Sequence, residues 1–252
     1  MAVAALVLLL AADARELGIR PAGAVRLVAN EYGHGMSGAS WVATSGSLFT
    51  SGDAFWSGRP DVRRPGASSA FGTNSAVLRV VGREPVAANV VVSLDVRPVA
   101  LVSGAGHPRR AFDGVHLLVR YRSPSETYVV SLIRRDGQVV VKKKVPGGPS
   151  YGGTYVTLGA HRMGSGSGGR AAGGPARWRR AEVSTTDVLG GVRIRLRMDG
   201  KTRLDVVDRG LGGPALSGPG RIGVRGDNCD FYVRALTVRP LGDRAFSKGE
   251  TG

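Results

Sequence analysis

The 252-residue chain contains a single cysteine, Cys229. A lone cysteine closes no internal disulfide and offers no zinc spacing, and within an apolar strand it reads as a small buried residue. Acidic residues are scarce, 19 Asp and Glu against 35 Lys and Arg, for a formal net charge of +16. Such an excess attracts anionic partners. However, no RNP-like, helix-turn-helix or zinc motif accompanies it, so no specific nucleic-acid partner is expected. Helical periodicity is missing beyond Arg20. Long apolar runs are missing too. The opening MAVAALVLLLAADA is too short to cross a bilayer, so no stable membrane insertion is expected. It ends in a small-x-small triplet, Ala12-Asp13-Ala14, but lacks a basic leader, and it reads as a clipped or atypical secretion signal.

What is present is a β pattern. Short runs of Val, Leu and Ile alternate with Gly, Pro, Asp and Ser. Strands are expected at Ser47–Thr50, Ser75–Val81, Asn89–Val96, Gly114–Arg122, Thr127–Arg134, Gln138–Lys144, Tyr155–Leu158, Trp178–Ser184, Val192–Met198, Thr202–Asp208, Gly220–Arg225 and Phe231–Pro240. Arg135-Asp136-Gly137 and Asp199-Gly200 mark hairpin turns. Phe55–Asn74 and the low-complexity Met163–Ala176 read as loops. Strand pattern resumes beyond each, so residues 30–241 form one domain with 163–176 as a flexible inserted loop. Residues 1–29 are a signal-like or poorly ordered segment, and 242–252 a disordered tail. A dozen short strands without helices specify an all-β fold, a two-sheet antiparallel β-sandwich of jelly-roll type.

Alternate strand residues face opposite ways. In DGVHLLVRYR, Val115, Leu117, Val119 and Tyr121 share one face, and His116, Leu118, Arg120 and Arg122 the other. In the lysine strand, Lys142 and Lys144 point together and Lys143 points away. If the three consecutive strands pair, His116, Arg120, Ser131, Lys142 and Lys144 assemble on one surface, with Arg225 and Tyr155 as further candidates. The competing reading makes the lysines solvated strand-end charges that discourage edge pairing, and His116 a hydrogen-bonded structural residue.

The run DGVHLLVRYRSPSETYVVSLIRRDGQVVVKKKVPGGPSYGGTY (Asp113–Tyr155) resembles secreted bacterial proteins built on the concanavalin A-like lectin/glucanase jelly roll. TSGSLF (Thr44–Phe49), TNSAVLRV (Thr73–Val80) and VVVSLDV (Val90–Val96) add to the likeness. GPGRIGVRGDNCDFYVRALTV (Gly218–Val238) is also similar to the close of laminin-G-like and 3-keto-disaccharide hydrolase jelly rolls. The resemblance implies two sheets, one concave, with carbohydrate bound or processed extracellularly across the concave face. It also implies structural calcium on the convex side, with Glu31 and Asp230 as candidate ligands near Asp227 and Asn228. Val129 and Ile133 are apolar, a departure from the polar groove of a catalytic relative.

Chemistry narrows the field. Retaining glucanases of this fold need paired carboxylates on one strand, Glu-x-Asp-x-x-Glu, and no such run exists. Asp95, Glu126, Glu182, Asp205, Asp208 and Asp230 are the few acids on or beside strands. A polyuronate lyase needs cations and a base, which His116 with Arg120, Lys142, Lys144 and Tyr128 or Tyr155 could supply. A binding module needs only polar groups and an aromatic platform, for which Trp41, Trp56, Tyr151 and Tyr155 are candidates. Arg225-Gly226-Asp227 spells the cell-adhesion tripeptide by coincidence within the strand pattern. The expectation is a secreted or envelope-associated monomer that binds poly- or oligosaccharides, acidic ones preferentially. The alternative is a lyase or glycoside hydrolase-like enzyme on the same scaffold.

Overall fold

The computed structural model describes residues 26–31, 34–35, 40–60, 73–74, 77–103, 108–163 and 177–241. They form eighteen strands and no helix. The strands are β1 (Arg26–Glu31), β2 (His34–Gly35), β3 (Trp41–Ser45), β4 (Ser47–Ser51), β5 (Ala54–Trp56), β6 (Arg59–Pro60), β7 (Thr73–Asn74), β8 (Val77–Gly82) and β9 (Val90–Leu101). Then follow β10 (Gly114–Ser123), β11 (Glu126–Arg134), β12 (Gln138–Ser150), β13 (Gly153–Arg162), β14 (Arg179–Val188), β15 (Gly191–Met198), β16 (Lys201–Asp208), β17 (Arg221–Asp227) and β18 (Cys229–Pro240).

A nine-stranded sheet runs β16-β15-β14-β9-β18-β5-β4-β1-β2, and a seven-stranded sheet runs β13-β12-β11-β10-β17-β8-β3. Both are antiparallel, and β6 and β7 make a separate short parallel pair. The expected two-sheet antiparallel sandwich is what forms. The hairpins expected at Asp136-Gly137 and Asp199-Gly200 join β11 to β12 and β15 to β16. Strand β1 begins at Arg26, inside the segment set apart as signal-like, and β5, β6 and β7 occupy parts of the stretch read as a loop. The opening apolar run, residues 164–176 and the tail from 242 lie outside the described residues. Met163, assigned to the flexible loop, is buried and belongs to the core.

The core lies between the sheets and follows the period-2 pattern. Val92, Leu94 and Val96 of β9, Val115, Leu117 and Val119 of β10, Val139 and Val141 of β12, and Ile194 and Leu196 of β15 are essentially without exposed surface. Each such side chain contributes ~1.5–3 kcal/mol on burial. Cys229 joins them, and burial pushes its thiol pKa up.

One β-bulge breaks the sequence pattern. Arg120 adopts the left-handed conformation (φ 50), where β10 loses register with both neighbours. A bulge adds a residue without a partner and re-aims the side chains after it. Tyr121 therefore turns to the outer face, where it packs with Val81, Leu118 and Val129. Arg120 turns inward. Its guanidinium donates to Asp187 Oδ1 (2.5 Å), Leu216 O (2.9 Å) and Ala88 O (2.9 Å). Arg120 is thus a buried staple and not a groove residue, and Tyr121 is not a core residue of the inter-sheet space. Gly220 permits the bulge, since a Cβ there would stand 2.5 Å from Arg120 Cα.

Candidate functional site

The lysine strand shows most directly how the two faces differ. On β12, Lys143 points between the sheets and is fully buried. Its ammonium meets Asp208 Oδ2 at 2.9 Å and donates to Gly213 O (2.6 Å). Tyr128 hydroxyl donates to the same carboxylate (2.6 Å) and accepts from Leu216 N (3.0 Å). Asp208 also accepts from Gly210 N and Leu211 N. Every member is satisfied, so the network clamps residues 209–217 onto the sandwich edge. Tyr128, a sequence candidate for a catalytic acid or base, is consumed here, and burial pushes its hydroxyl pKa up.

Lys142 and Lys144 point to the outer face of the seven-stranded sheet. Register places them with Val129 and Thr127 of β11, and with Thr157 and Tyr155 of β13. His116 pairs with Ser131 on one side and Arg225 on the other. Arg225 in turn pairs with Arg79 of β8. One face therefore gathers His116, Ser131, Lys142, Lys144, Arg225 and Tyr155, as the alternation predicts.

The face is curled. Arg225 donates to the Tyr155 hydroxyl at 3.0 Å although β12, β11 and β10 lie between their strands. Tyr151, in the turn between β12 and β13, has Arg79 over its ring at 5.8 Å and Lys144 over it at 5.8 Å. Strands β8 and β12 are four steps apart, roughly 19 Å along a sheet at ordinary spacing. One ring reaches both cations because the β12–β13 hairpin tip arches over a concave surface. Below it, Val81, Leu118, Tyr121 and Val129 form an apolar floor against which Tyr155 packs.

The polar groups on this face divide into two classes. His116 is 3 % exposed. Its Nδ1 stands 2.9 Å from Ser131 Oγ, and its Nε2 faces Asp227 Oδ2 at 3.1 Å, at an angle short of a hydrogen bond. Burial holds the imidazole pKa below its ordinary value, with Asp227 acting the other way. Arg225 grips Asp227 through both carboxylate oxygens (2.9 and 2.8 Å), and its charge overcomes burial to hold that carboxyl well below the usual range. Ser131, His116, Asp227 and Arg225 thus form one buried cluster, in which Nε2 of His116 approaches Asp227 without a hydrogen bond.

Lys142, Lys144 and Arg79 form the second class. Among the described residues none of them has an ion-pair partner. Lys144 donates to Pro124 O at 2.5 Å and lies 5.2 Å from the Tyr155 ring centre, while Lys142 lies 5.8 Å from it. Arg79 donates to Thr44 Oγ1 at 2.6 Å. Burial, then Arg225 and Arg79, push the Lys144 ammonium pKa down to about 8. Cations and tyrosine rings thus alternate in the order Arg79, Tyr151, Lys144, Tyr155, Lys142.

No family model matches this chain, and no curated protein does. Solved structures match it in fold. One is carbohydrate-binding module CBM66 from Bacillus subtilis, with TM-score 0.53 and 8 % identity, covering 79 % of this chain and 94 % of that one. Another is a protein with a galectin-like fold from the same organism, with TM-score 0.51 and 14 % identity, covering 79 % and 89 %. A third is a mutant of the Emp46p carbohydrate recognition domain, with TM-score 0.50 and 9 % identity, covering 79 % and 87 %. The fold is a lectin-like β-sandwich.

The other candidates fall elsewhere. Trp56 lies on the nine-stranded sheet, stacked on Tyr232 at 6.2 Å with its indole donating to Asp230 Oδ1 (2.7 Å). Trp41 packs against the core. Neither is a platform on the concave face. Of the calcium candidates, those that are described already have partners. The Glu31 side chain lies outside the described residues, Asp230 holds the Trp56 indole, Asp227 holds Arg225, and Asn228 donates to Asp113. Among the described residues no group of three or more His, Cys, Asp or Glu could hold a metal ion. Sequence reasoning missed Arg79. Its only signal was an arginine at an outward position of VLRVV.

Proposed function

We propose that the concave face of the seven-stranded sheet binds a poly- or oligosaccharide bearing anionic groups, without cleaving it, and that the protein acts outside the cytoplasm. The observation that carries this reading is the row of cations lacking carboxylate partners, Arg79, Lys142 and Lys144, interleaved with Tyr151 and Tyr155. Charge-assisted contacts from such groups select carboxylate or sulfate. Tyrosine supplies an apolar ring with a polar tip, the chemistry that stacks on sugar faces. Two of the similar folds are a carbohydrate-binding module and a carbohydrate recognition domain, which agrees with this use of the scaffold.

The same face speaks against cleavage. A lyase base must reach a substrate proton. His116 is enclosed by Ser131, Asp227 and Arg225, and Asp227 is held by Arg225.

The test is incubation with neutral and uronate polysaccharides, following retention, reducing ends and the ultraviolet absorbance of unsaturated uronate. Retention on uronate polymers that weakens with salt, with no product, is the expected result. Absorbance growth would make the protein a lyase. Absence of retention on every polymer would remove the reading.

A further inference from the structure

The hairpin tip from Pro146 to Gly153 covers the cationic face and is lightly held. Gly147, Gly148 and Gly152 have positive φ, and so does Tyr151 (φ 47), a conformation that non-glycine residues rarely adopt. Pro146 to Pro149 are exposed, and Tyr151 is 63 % exposed. The tip's hydrogen bonds close upon themselves: Gly147 N to Gly152 O (2.8 Å), Thr154 Oγ1 to Gly147 O (2.5 Å) and Tyr151 N to Pro149 O (3.1 Å). Tyr151 meets the far side of the sheet through its ring contact with Arg79. Beneath the tip lies the opposite situation. Lys144 is 1 % exposed and has no carboxylate among the described residues, and Arg225 and Arg79 both repel its charge. The one ring bridging Arg79 and Lys144 therefore stands where an anion would be held by both.

We propose that the 146–153 tip is a displaceable cover and that the seat of Tyr151, between Arg79 and Lys144, is a subsite for one carboxylate or sulfate group of the glycan. This rests on the reading of the concave face as an anionic-glycan site and adds how that site opens. When the tip lifts, a ring held by weak cation–π contacts is exchanged for an oxyanion that accepts charge-assisted hydrogen bonds from a guanidinium fork and an ammonium. The apolar floor and Tyr155 stay in place. The groups facing Lys144 are Arg225 of β17, Arg79 of β8, Lys142 of its own strand, Tyr155 of β13 and Tyr151 of the tip. All the charged ones are cationic, so an anion seated here relieves repulsion as well as making bonds.

The test measures affinity for polygalacturonate with the full chain and two variants. Tyr151→Asn removes the ring while keeping a residue that tolerates the left-handed conformation. Arg79→Met removes one of the two receptors at a half-buried site. The expected result is a five- to tenfold gain in affinity for Tyr151→Asn, chiefly through faster association, and a tenfold or greater loss for Arg79→Met. A loss in Tyr151→Asn equal to that in Arg79→Met would overturn the cover and make Tyr151 a stacking platform, with the glycan site intact. Binding by Tyr151→Asn alone, with the wild type inert, would support the cover in its strongest form. No binding by either protein would overturn the cover and the glycan reading together.

Discussion

The two outer faces of the sandwich carry the same kind of charge in different ways. On the nine-stranded sheet, five arginines answer acids, while Arg97 lies against the Trp178 and Tyr232 rings. Arg193 and Arg195 share Asp205, Arg197 meets Glu182, Arg180 meets Asp95, and Arg234 reaches Asp53 and Asp95. On the seven-stranded sheet, Lys142, Lys144 and Arg79 meet tyrosine rings and make no ion pair among the described residues, although Asp136 acts on Lys142 from farther off. A chain-wide charge of +16 cannot tell these faces apart. A cation already neutralised by its neighbour has little left for a ligand, whereas one lacking an ion-pair partner keeps more of its field.

The largest effect is expected where the lysine triplet is buried. Asp208→Ala leaves the Lys143 ammonium enclosed without its carboxylate, and breaking such a pair costs ~3–5 kcal/mol. Urea unfolding should show a lower midpoint, with glycan affinity falling only as the fold does. Next comes binding. Lys142→Met should weaken retention on a uronate polymer about tenfold, or ~1.4 kcal/mol. Arg197→Met, which removes a similar charge from the paired face, should leave affinity unchanged and cost under about 1 kcal/mol of stability. Equal losses of affinity in the two variants would erase the distinction between the faces.

The smallest effect sharpens the comparison through pH. Lys144 titrates in the fold at about 8, against an ordinary value of 10.5. Between those values the unfolded chain binds the proton more tightly than the folded one, so this group makes stability rise with pH across that window. Anion binding needs the ammonium and should fall over the same window. Thermal melts and affinities at pH 7, 8, 9 and 10, at constant ionic strength, should move in opposite directions.

Strand pairing and the division of the lysine triplet were legible because alternation is local. The residues that sequence reasoning placed together, His116, Ser131, Lys142, Lys144, Arg225 and Tyr155, do share a face. Arg120 did not follow, because a bulge at a non-glycine residue leaves no mark in a run of alternating residues and is fixed by Gly220, a hundred positions later. The roofing of the groove was also hidden. PGGPSYGGTY announces a turn, but the direction in which it folds depends on the curl of strands that the turn never adjoins. The buried Ser131–His116–Asp227–Arg225 cluster shows the same limit, since sequence offered a histidine and only packing reveals what encloses it.

The order of the strands has a consequence for how the chain acquires its shape. Strand β17 is inserted between β10 and β8, and β18 between β9 and β5. Until those residues arrive, each sheet exists as two fragments with open edges facing one another. During synthesis, a chain that has emerged only as far as β16 can complete its hairpins but can close neither sheet. The seat of Tyr155 does not exist at that stage, because Arg225 has yet to be made. The concave face is therefore complete only once β17 lies between β10 and β8.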